Sequence, residues 1–242
     1  MRMTSLRVLR LWGIIGIMKI LLVGFGIRNV GMVRVRNTHR FSSQRRCGLH
    51  RKNQYQGVGI ERIACAVRFA RATANDYGGD PGRITLVGSS AGAATGAVAA
   101  LAGDDFEGDC VVTDGSALPD ALVAFEGPYD YATTVYRPPA PDHTILKDED
   151  PELWEAINPY SHIGRNPDLQ VRLVQGNDID VAWYDVLPQV SVEFHQTLAD
   201  AGYHVELIVV EGAHHTDLTS LYSDDFALTV QQVMELARSS SE

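Results

Sequence analysis

The ten-residue run Arg83–Gly92 limits what this chain can fold into more than any other segment. It reads Arg-Ile-Thr-Leu-Val-Gly-Ser-Ser-Ala-Gly, and an alanine-rich stretch follows it as far as Ala102. The β-branched and apolar residues predict a buried strand, the Gly-x-Ser-x-Gly pattern a sharp turn, and the alanines a helix. Glycine is expected on both sides of the turn because a side chain there would collide with the adjoining strand or helix. Ser90 then lies at the apex with its hydroxyl exposed.

The turn admits two interpretations. A glycine-rich turn can simply pack a helix against a strand, and the pattern alone does not exclude that. The flanking strand and helix favour a functional turn, in which Ser90 is a nucleophile. In that case the backbone N–H of Ala91 begins the helix and can face a developing oxyanion.

Strands and helices alternate along the rest of the chain. Apolar residues at helical spacing predict a helix over Ile60–Ala74, and further helices are expected over Glu152–Ile157, Val190–Ala201 and Asp225–Arg238. Short apolar runs predict buried strands at Ile84–Val87, Ala121–Phe125, Val171–Val174 and Val205–Val210. This alternation predicts an α/β fold with a mostly parallel sheet flanked by helices.

The amino-terminal quarter differs from the rest in charge. Residues 1–60 hold twelve of the 21 Lys and Arg residues and none of the 30 Asp and Glu residues. We therefore expect an atypical basic segment over residues 1–59 and a catalytic core over residues 60–242. Part of the basic segment is expected to belong to the same domain as the core. The arginines are scattered and lack interleaved aromatic residues, so nucleic acid is not an expected partner. Ile20–Val23 is predicted as a buried strand, whereas residues 32–57 show no useful periodicity.

The stretch Leu11–Ile27 is mostly apolar and follows three arginines, as in a secretory signal. Lys19 interrupts it, however, and no small-x-small cleavage site follows. We expect a cytoplasmic protein, with secretion as the alternative. The stretch also falls short of the roughly 20 apolar residues that a membrane span needs, so no span is predicted.

Glycines and cysteines suggest other functions only weakly. The run Gly24–Gly31 begins Gly-x-Gly, but its next glycine, Gly31, comes too late for the pattern and the first acidic residue of the chain is Glu61. This favours a turn over a dinucleotide site, and no cofactor is expected. The three cysteines, Cys47, Cys65 and Cys110, are odd in number and lack C-x-x-C spacing, so the sequence implies neither a disulfide framework nor a zinc site.

Candidate acid and base residues follow two of the later strands. Asp178 and Asp180 come after the Val171–Val174 strand, and His214 and His215 come after the Val205–Val210 strand. Parallel strands bring their carboxyl ends to one edge of a sheet, so these side chains can meet Ser90. A serine hydroxyl needs an imidazole to take its proton, and the imidazole needs a carboxylate to fix its tautomer.

Each of these residues also has an ordinary interpretation. The aspartates fit a turn and the histidines a polar surface. A metal site built from His214, His215 and Asp217 is a further alternative, but adjacent histidines point in different directions and no helical spacing supports them.

Residues 60–242 resemble the bacterial esterase/lipase branch of the α/β-hydrolase superfamily. Asp76–Gly92, Val171–Gly176 and Phe194–Leu218 carry the likeness. The resemblance implies a serine hydrolase that cleaves short-chain carboxylic esters through an acyl-enzyme, without metal or organic cofactor. It makes Ser90 the nucleophile and the Ala91 N–H an oxyanion donor. A small ester is then the expected partner, and the oligomeric state stays open.

The resemblance also suggests the base and the acid. The family's Gly-Ala-Gly-His turn corresponds to residues 212–215, which places the base at His215 and puts His214 where the family has glycine. The family's acid lies in Gly-x-x-Asp-x-x-Val. Asp178 keeps the spacing to Val181 and is preferred to Asp180, which fits neither spacing.

One family feature is missing. Esterases of this branch carry a His-Gly-Gly or similar motif upstream of the nucleophile, which supplies further oxyanion N–H groups. Residues 1–59 lack it, although Gly24–Gly31 could replace it after a strand. A non-catalytic binding protein therefore stands as an alternative, and a small peptidase is a second alternative because it fits the same triad.

Overall fold

The computed structural model describes the chain over residues 19–26, 29–34, 54–130, 148, 150–178, 186–215, 217–220 and 222–239. Within these ranges, no helix has both the length and the apolar character needed to cross a lipid bilayer.

A six-stranded sheet organises the described chain. Its strands, in spatial order, are β2 (Asn29–Arg34), β1 (Lys19–Gly26), β3 (Ile84–Ser89), β4 (Ala121–Phe125), β5 (Gln170–Gly176) and β6 (His204–Val210). The last four are parallel, whereas β1 runs antiparallel to both of its neighbours. The mostly parallel α/β architecture is confirmed, and β4 has the predicted bounds.

Helices cover both faces of the sheet. They are α1 (Gln54–Thr73), α2 (Ala91–Ala102), α3 (Pro151–Ile157), α4 (Pro188–Asp200) and α5 (Phe226–Ser239), with short 3-10 turns at Ala74–Tyr77, Gly103–Asp105, Pro159–His162 and Asp217–Thr219. All predicted helices are present, and α1 begins six residues earlier than expected. Residues 32–57, which had no periodicity, thus contribute the end of β2 and the start of α1.

Alternating strand residues supply two apolar clusters. Leu86 packs with α1, α2 and α4 on one face, whereas the next residue, Val87, packs with α5 on the other. This follows from the two-residue repeat of a strand, which sends successive side chains to opposite faces. The central strands are buried on both faces, which explains why they read as continuous apolar runs in the sequence.

The direction of β1 corrects one expectation. Lys19 pairs with Ser89 at the Ser90 end of β3, whereas Gly24 pairs with Ile84 at the other end. The chain therefore leaves β1 at the sheet edge opposite Ser90, and β2 follows antiparallel instead of a helix. Gly24, Gly26 and Gly31 lie in these paired antiparallel strands, so the glycines of the run fit neither a dinucleotide site nor the missing oxyanion motif.

A disulfide joins Cys65 of α1 to Cys110 in the loop after α2. The odd number and the spacing of the cysteines implied no disulfide framework, and for this pair that prediction was wrong. The two cysteines are 45 residues apart, and only the packing of α1 against α2 and its following loop brings them together. Arg68 of α1 holds the same loop, since its Nη1 donates to the carbonyl of Phe106 (3.0 Å) and its Nε to that of Gly115 (3.3 Å).

Candidate active site

Ser90 lies between the end of β3 and the start of α2, in a backbone conformation that residues other than glycine rarely adopt. Its φ is 56° and its ψ is −129°. The turn is as tight as predicted, because a Cβ atom at Gly88 would lie 2.4 Å from the carbonyl oxygen of Gly92. The Ser90 N–H donates to the carbonyl of Phe125 at 2.9 Å, which fastens the turn to the end of β4. The side chain is thus raised above the carboxyl edge of the sheet.

His215 reaches Ser90 from the loop after β6. Its Nε2 lies 2.9 Å from the Ser90 Oγ, across 125 residues of sequence. This distance places the imidazole where it can accept the hydroxyl proton, provided that the other ring nitrogen, Nδ1, carries the ring's hydrogen. The structure therefore brings together the predicted nucleophile and the predicted base.

Ala91 is the first residue of α2, so its N–H has no acceptor within the helix. The amino-terminal ends of helices favour negative charge, which suits the predicted role of an oxyanion donor. Since β1 runs antiparallel, the backbone neighbour of the Ser90 turn on this side is Lys19 and not the glycine run.

Asp178 makes a contact different from the predicted one. Its carboxylate Oδ2 lies 3.6 Å from Nε2 of His214, not beside His215. The main-chain carbonyl of Asp178 is also 3.1 Å from Nδ1 of His214, and both side chains are about half exposed. Asp180, the alternative acid, lies outside the described residues.

One carboxylate that faces His215 belongs to Glu126, a residue that no sequence pattern singled out. Glu126 directly follows β4, and its Oε2 lies 3.6 Å from the His215 Nδ1. Its Oε1 accepts the N–H of Gly176 at 3.2 Å. Its position in the sequence could have identified it, because Glu126 is an acidic residue at the carboxyl end of a predicted strand, as Asp178 is.

The loop after β6 is held close to the end of β5. A Cβ atom at Gly176 would lie 2.2 Å from the carbonyl oxygen of Ala213 and 2.9 Å from Oε1 of Glu126. The N–H of Asp178 donates to the same Ala213 carbonyl at 3.2 Å. Glycine at 176 therefore allows both the Glu126 carboxylate and the histidine loop to approach.

The alternative metal site finds no support in the described residues. The Asp217 carboxylate accepts the backbone N–H of His214 at 3.0 Å, which is a turn contact. Across the described part of the chain, no group of three or more His, Cys, Asp and Glu side chains could hold a metal ion.

A serine turn and a histidine loop at the carboxyl edge of a mostly parallel sheet define an α/β-hydrolase fold. The chain belongs to the BD-FAE family, whose sequence profile matches residues 50–198. Esterase LipQ of Mycobacterium tuberculosis is 30% identical over 111 residues, which are 43% of this chain and 26% of LipQ. The match thus spans about a quarter of the length of that relative.

Solved structures share the fold. An esterase of Thermogutta terrifontis with butyrate bound is 23% identical, with a TM-score of 0.54 over 74% of this chain and 63% of the esterase. A truncated carbohydrate esterase from gut microbiota is 22% identical, with a TM-score of 0.58 over 74% of this chain and 68% of the other.

Proposed function

We propose that this protein hydrolyses carboxylic esters through an acyl-enzyme on Ser90. The observation that carries the proposal is the 2.9 Å separation of the Ser90 Oγ and the His215 Nε2. A nucleophile and its base within hydrogen-bond distance, on loops at one sheet edge, are the arrangement that acyl transfer requires. The names of the relatives, esterases in each case, agree with this chemistry.

The reaction follows from the two side chains. The His215 Nε2 takes the hydroxyl proton as the Ser90 Oγ attacks the ester carbonyl, and the carbonyl oxygen becomes an oxyanion facing the Ala91 N–H. Collapse of this intermediate breaks the C–O bond, and the leaving alcohol takes the proton from His215. Water then attacks the acyl-enzyme by the same route and releases the carboxylic acid.

The proposed substrates are esters with short acyl groups. The chain between the Ser90 turn and the later site loops is too short to add a large lid domain. Among the structural relatives, the Thermogutta terrifontis esterase has been solved with butyrate and with propionate bound, acids of that size. The p-nitrophenyl esters of acetate and butyrate are therefore the first substrates to test, with palmitate as the long-chain comparison.

The test combines turnover with covalent labelling. Wild-type protein should hydrolyse the acetate and butyrate esters and take a fluorophosphonate label on Ser90, as the Thermogutta terrifontis esterase reacts with tabun and sarin. Ser90→Ala should abolish labelling and lower turnover by up to about a million-fold. The neighbouring Ser89→Ala is the matched control, since that side chain is buried in β3, and it should retain labelling.

Two results would redirect the proposal. Neither turnover nor labelling of the wild-type chain would contradict it and favour a non-catalytic binding protein. Cleavage of peptide p-nitroanilides in addition to the matching esters, abolished in Ser90→Ala, would favour a peptidase on the same site.

The sequence alone favoured a cytoplasmic location, with secretion as the alternative. The disulfide between Cys65 and Cys110 favours the alternative, because such bonds form and persist mainly in oxidising compartments. We propose export from the cytoplasm, which fractionation of expressing cells would test. Recovery of the chain in the cytoplasmic fraction with both thiols free would contradict it.

A further inference from the structure

We propose that Glu126 is the residue that orients His215, in the role that the resemblance assigned to Asp178. The inference rests on the proposed hydrolytic function of Ser90 and His215 and adds a third residue to that pair. Glu126 acts through His215 and is therefore a positioning residue.

The contacts of Glu126 suit this role. Its Oε2 lies 3.6 Å from the His215 Nδ1, a distance that a small side-chain movement converts into a hydrogen bond. The other oxygen is already fixed, since it accepts the Gly176 N–H at 3.2 Å. A carboxylate held at one oxygen presents the other in a defined direction, as a base-orienting group must.

Burial separates Glu126 from Asp178. The Glu126 side chain is 1% exposed, whereas that of Asp178 is 55% exposed and faces the half-exposed His214. A charge away from water acts more strongly on a neighbouring imidazole, because the solvent screens it less. The Glu126 carboxylate is thus better placed to stabilise the imidazolium that forms when His215 takes the serine proton.

The backbone at Glu126 is an independent observation. Among the described residues, Ser90 and Glu126 are the non-glycine residues with positive φ, at 56° and 50°. Such conformations are strained and cluster at functional sites. Both residues directly follow neighbouring parallel strands, and the bond from the Ser90 N–H to the Phe125 carbonyl joins the two turns. The strained turns therefore raise a nucleophile and a carboxylate on either side of one imidazole.

Glu126→Gln is the decisive variant because its amide can keep the Gly176 contact while it presents a donor instead of an acceptor to His215. If its oxygen keeps the Gly176 N–H, its NH₂ group faces the His215 Nδ1 and donates to it. The imidazole hydrogen then moves to Nε2, which can no longer accept the Ser90 proton. A triad histidine in the wrong tautomer loses about four orders of magnitude in rate, and we expect a fall of that size in kcat with little change in KM.

The measurements are kcat and KM for p-nitrophenyl butyrate, thermal melting, and ¹⁵N NMR of the His215 ring. Glu126→Gln should melt within a few degrees of wild type and move the ring hydrogen from Nδ1 to Nε2. Glu126→Asp keeps the charge on a shorter side chain and should recover part of kcat. Asp178→Asn and Asp180→Asn should each lose far less than Glu126→Gln.

The outcomes distinguish this inference from the proposed function. Near-wild-type kcat in Glu126→Gln, with the large loss in Asp178→Asn or Asp180→Asn, would overturn the role of Glu126 and leave the hydrolase intact. If the wild-type chain proves inactive, the NMR measurement still decides, since an unchanged tautomer in Glu126→Gln contradicts the proposal without any turnover.

Discussion

Removing the disulfide between Cys65 and Cys110 should lower stability while leaving the Ser90 site in place. The bond closes a loop of 45 residues, and in the chain-entropy treatment a loop of this length stabilises the fold by about 4 kcal/mol at 25 °C. For a chain of this size, each kcal/mol shifts the melting temperature by about 2–4 °C. We therefore expect the double variant Cys65→Ala, Cys110→Ala to melt about 8–16 °C below the oxidised wild type.

The native loop should stay in place after the bond is lost. Arg68 still donates to the carbonyls of Phe106 and Gly115, and the loop follows the far end of α2, about 18 Å along the helix from Ser90. Fluorophosphonate labelling of the reduced protein at 20 °C should therefore match that of the oxidised protein. The loss of stability would then come from the greater freedom of the unfolded chain and not from a change in the Ser90 site.

The assay is melting followed by circular dichroism, with and without a phosphine reductant. Either single cysteine variant breaks the bond, so each should lose about as much stability as the double variant. Losses that simply add would show instead that the two side chains contribute independently. The predicted stabilisation by the disulfide is refuted if Cys65 and Cys110 are both alkylated without reduction and the reductant leaves the melting temperature unchanged.

Three further predictions test the turn, the pH dependence and the core. Gly88→Ala in β3 should abolish labelling of Ser90, because its Cβ would overlap backbone atoms. Gly96→Ala in the following helix α2 meets only side chains at 3.7 Å and beyond and should raise stability by about 0.5–1 kcal/mol. Burial in a low-dielectric site lowers the pKa of His162, so the unfolded chain binds a proton more readily and this residue removes stability as pH falls below about 6.5. The melting temperature of His162→Gln should accordingly fall less than that of wild type between pH 7.5 and 5.5. An equal fall would contradict the assignment of this pH dependence to the buried His162. Phe194→Ala should cost about 3–5 kcal/mol in urea unfolding, since the ring is fully buried, and a loss below 1 kcal/mol would show that the core collapses around the gap.

The serine turn and its sheet could be predicted from the sequence because their constraints are local. Ile84–Ser89 is buried on both faces, so apolar residues predominate in it, and the tight turn admits only glycine at Gly88. His215 was predictable for a similar reason, since it follows a strand whose neighbour ends at the same edge.

The other features depend on chain direction and distant packing, which short patterns do not encode. An apolar run such as Ile20–Val23 predicts a strand but not that β1 runs antiparallel to β3. The disulfide between Cys65 and Cys110 could not be predicted because it depends on the packing of α1 beside the loop after α2. Glu126 was not predicted because the family motif places the acid after the next strand, where Asp178 keeps the motif's spacing to Val181.

The two left-handed turns have a consequence for protein engineering. At both Ser90 and Glu126 glycine could adopt the observed backbone conformation with little steric cost, so replacement there relieves a strain that the side chains impose. Selection for thermal tolerance alone would thus favour glycine at the two positions on which the proposed chemistry depends. A directed-evolution campaign on this scaffold should score turnover alongside heat resistance in every round, or hold both codons fixed.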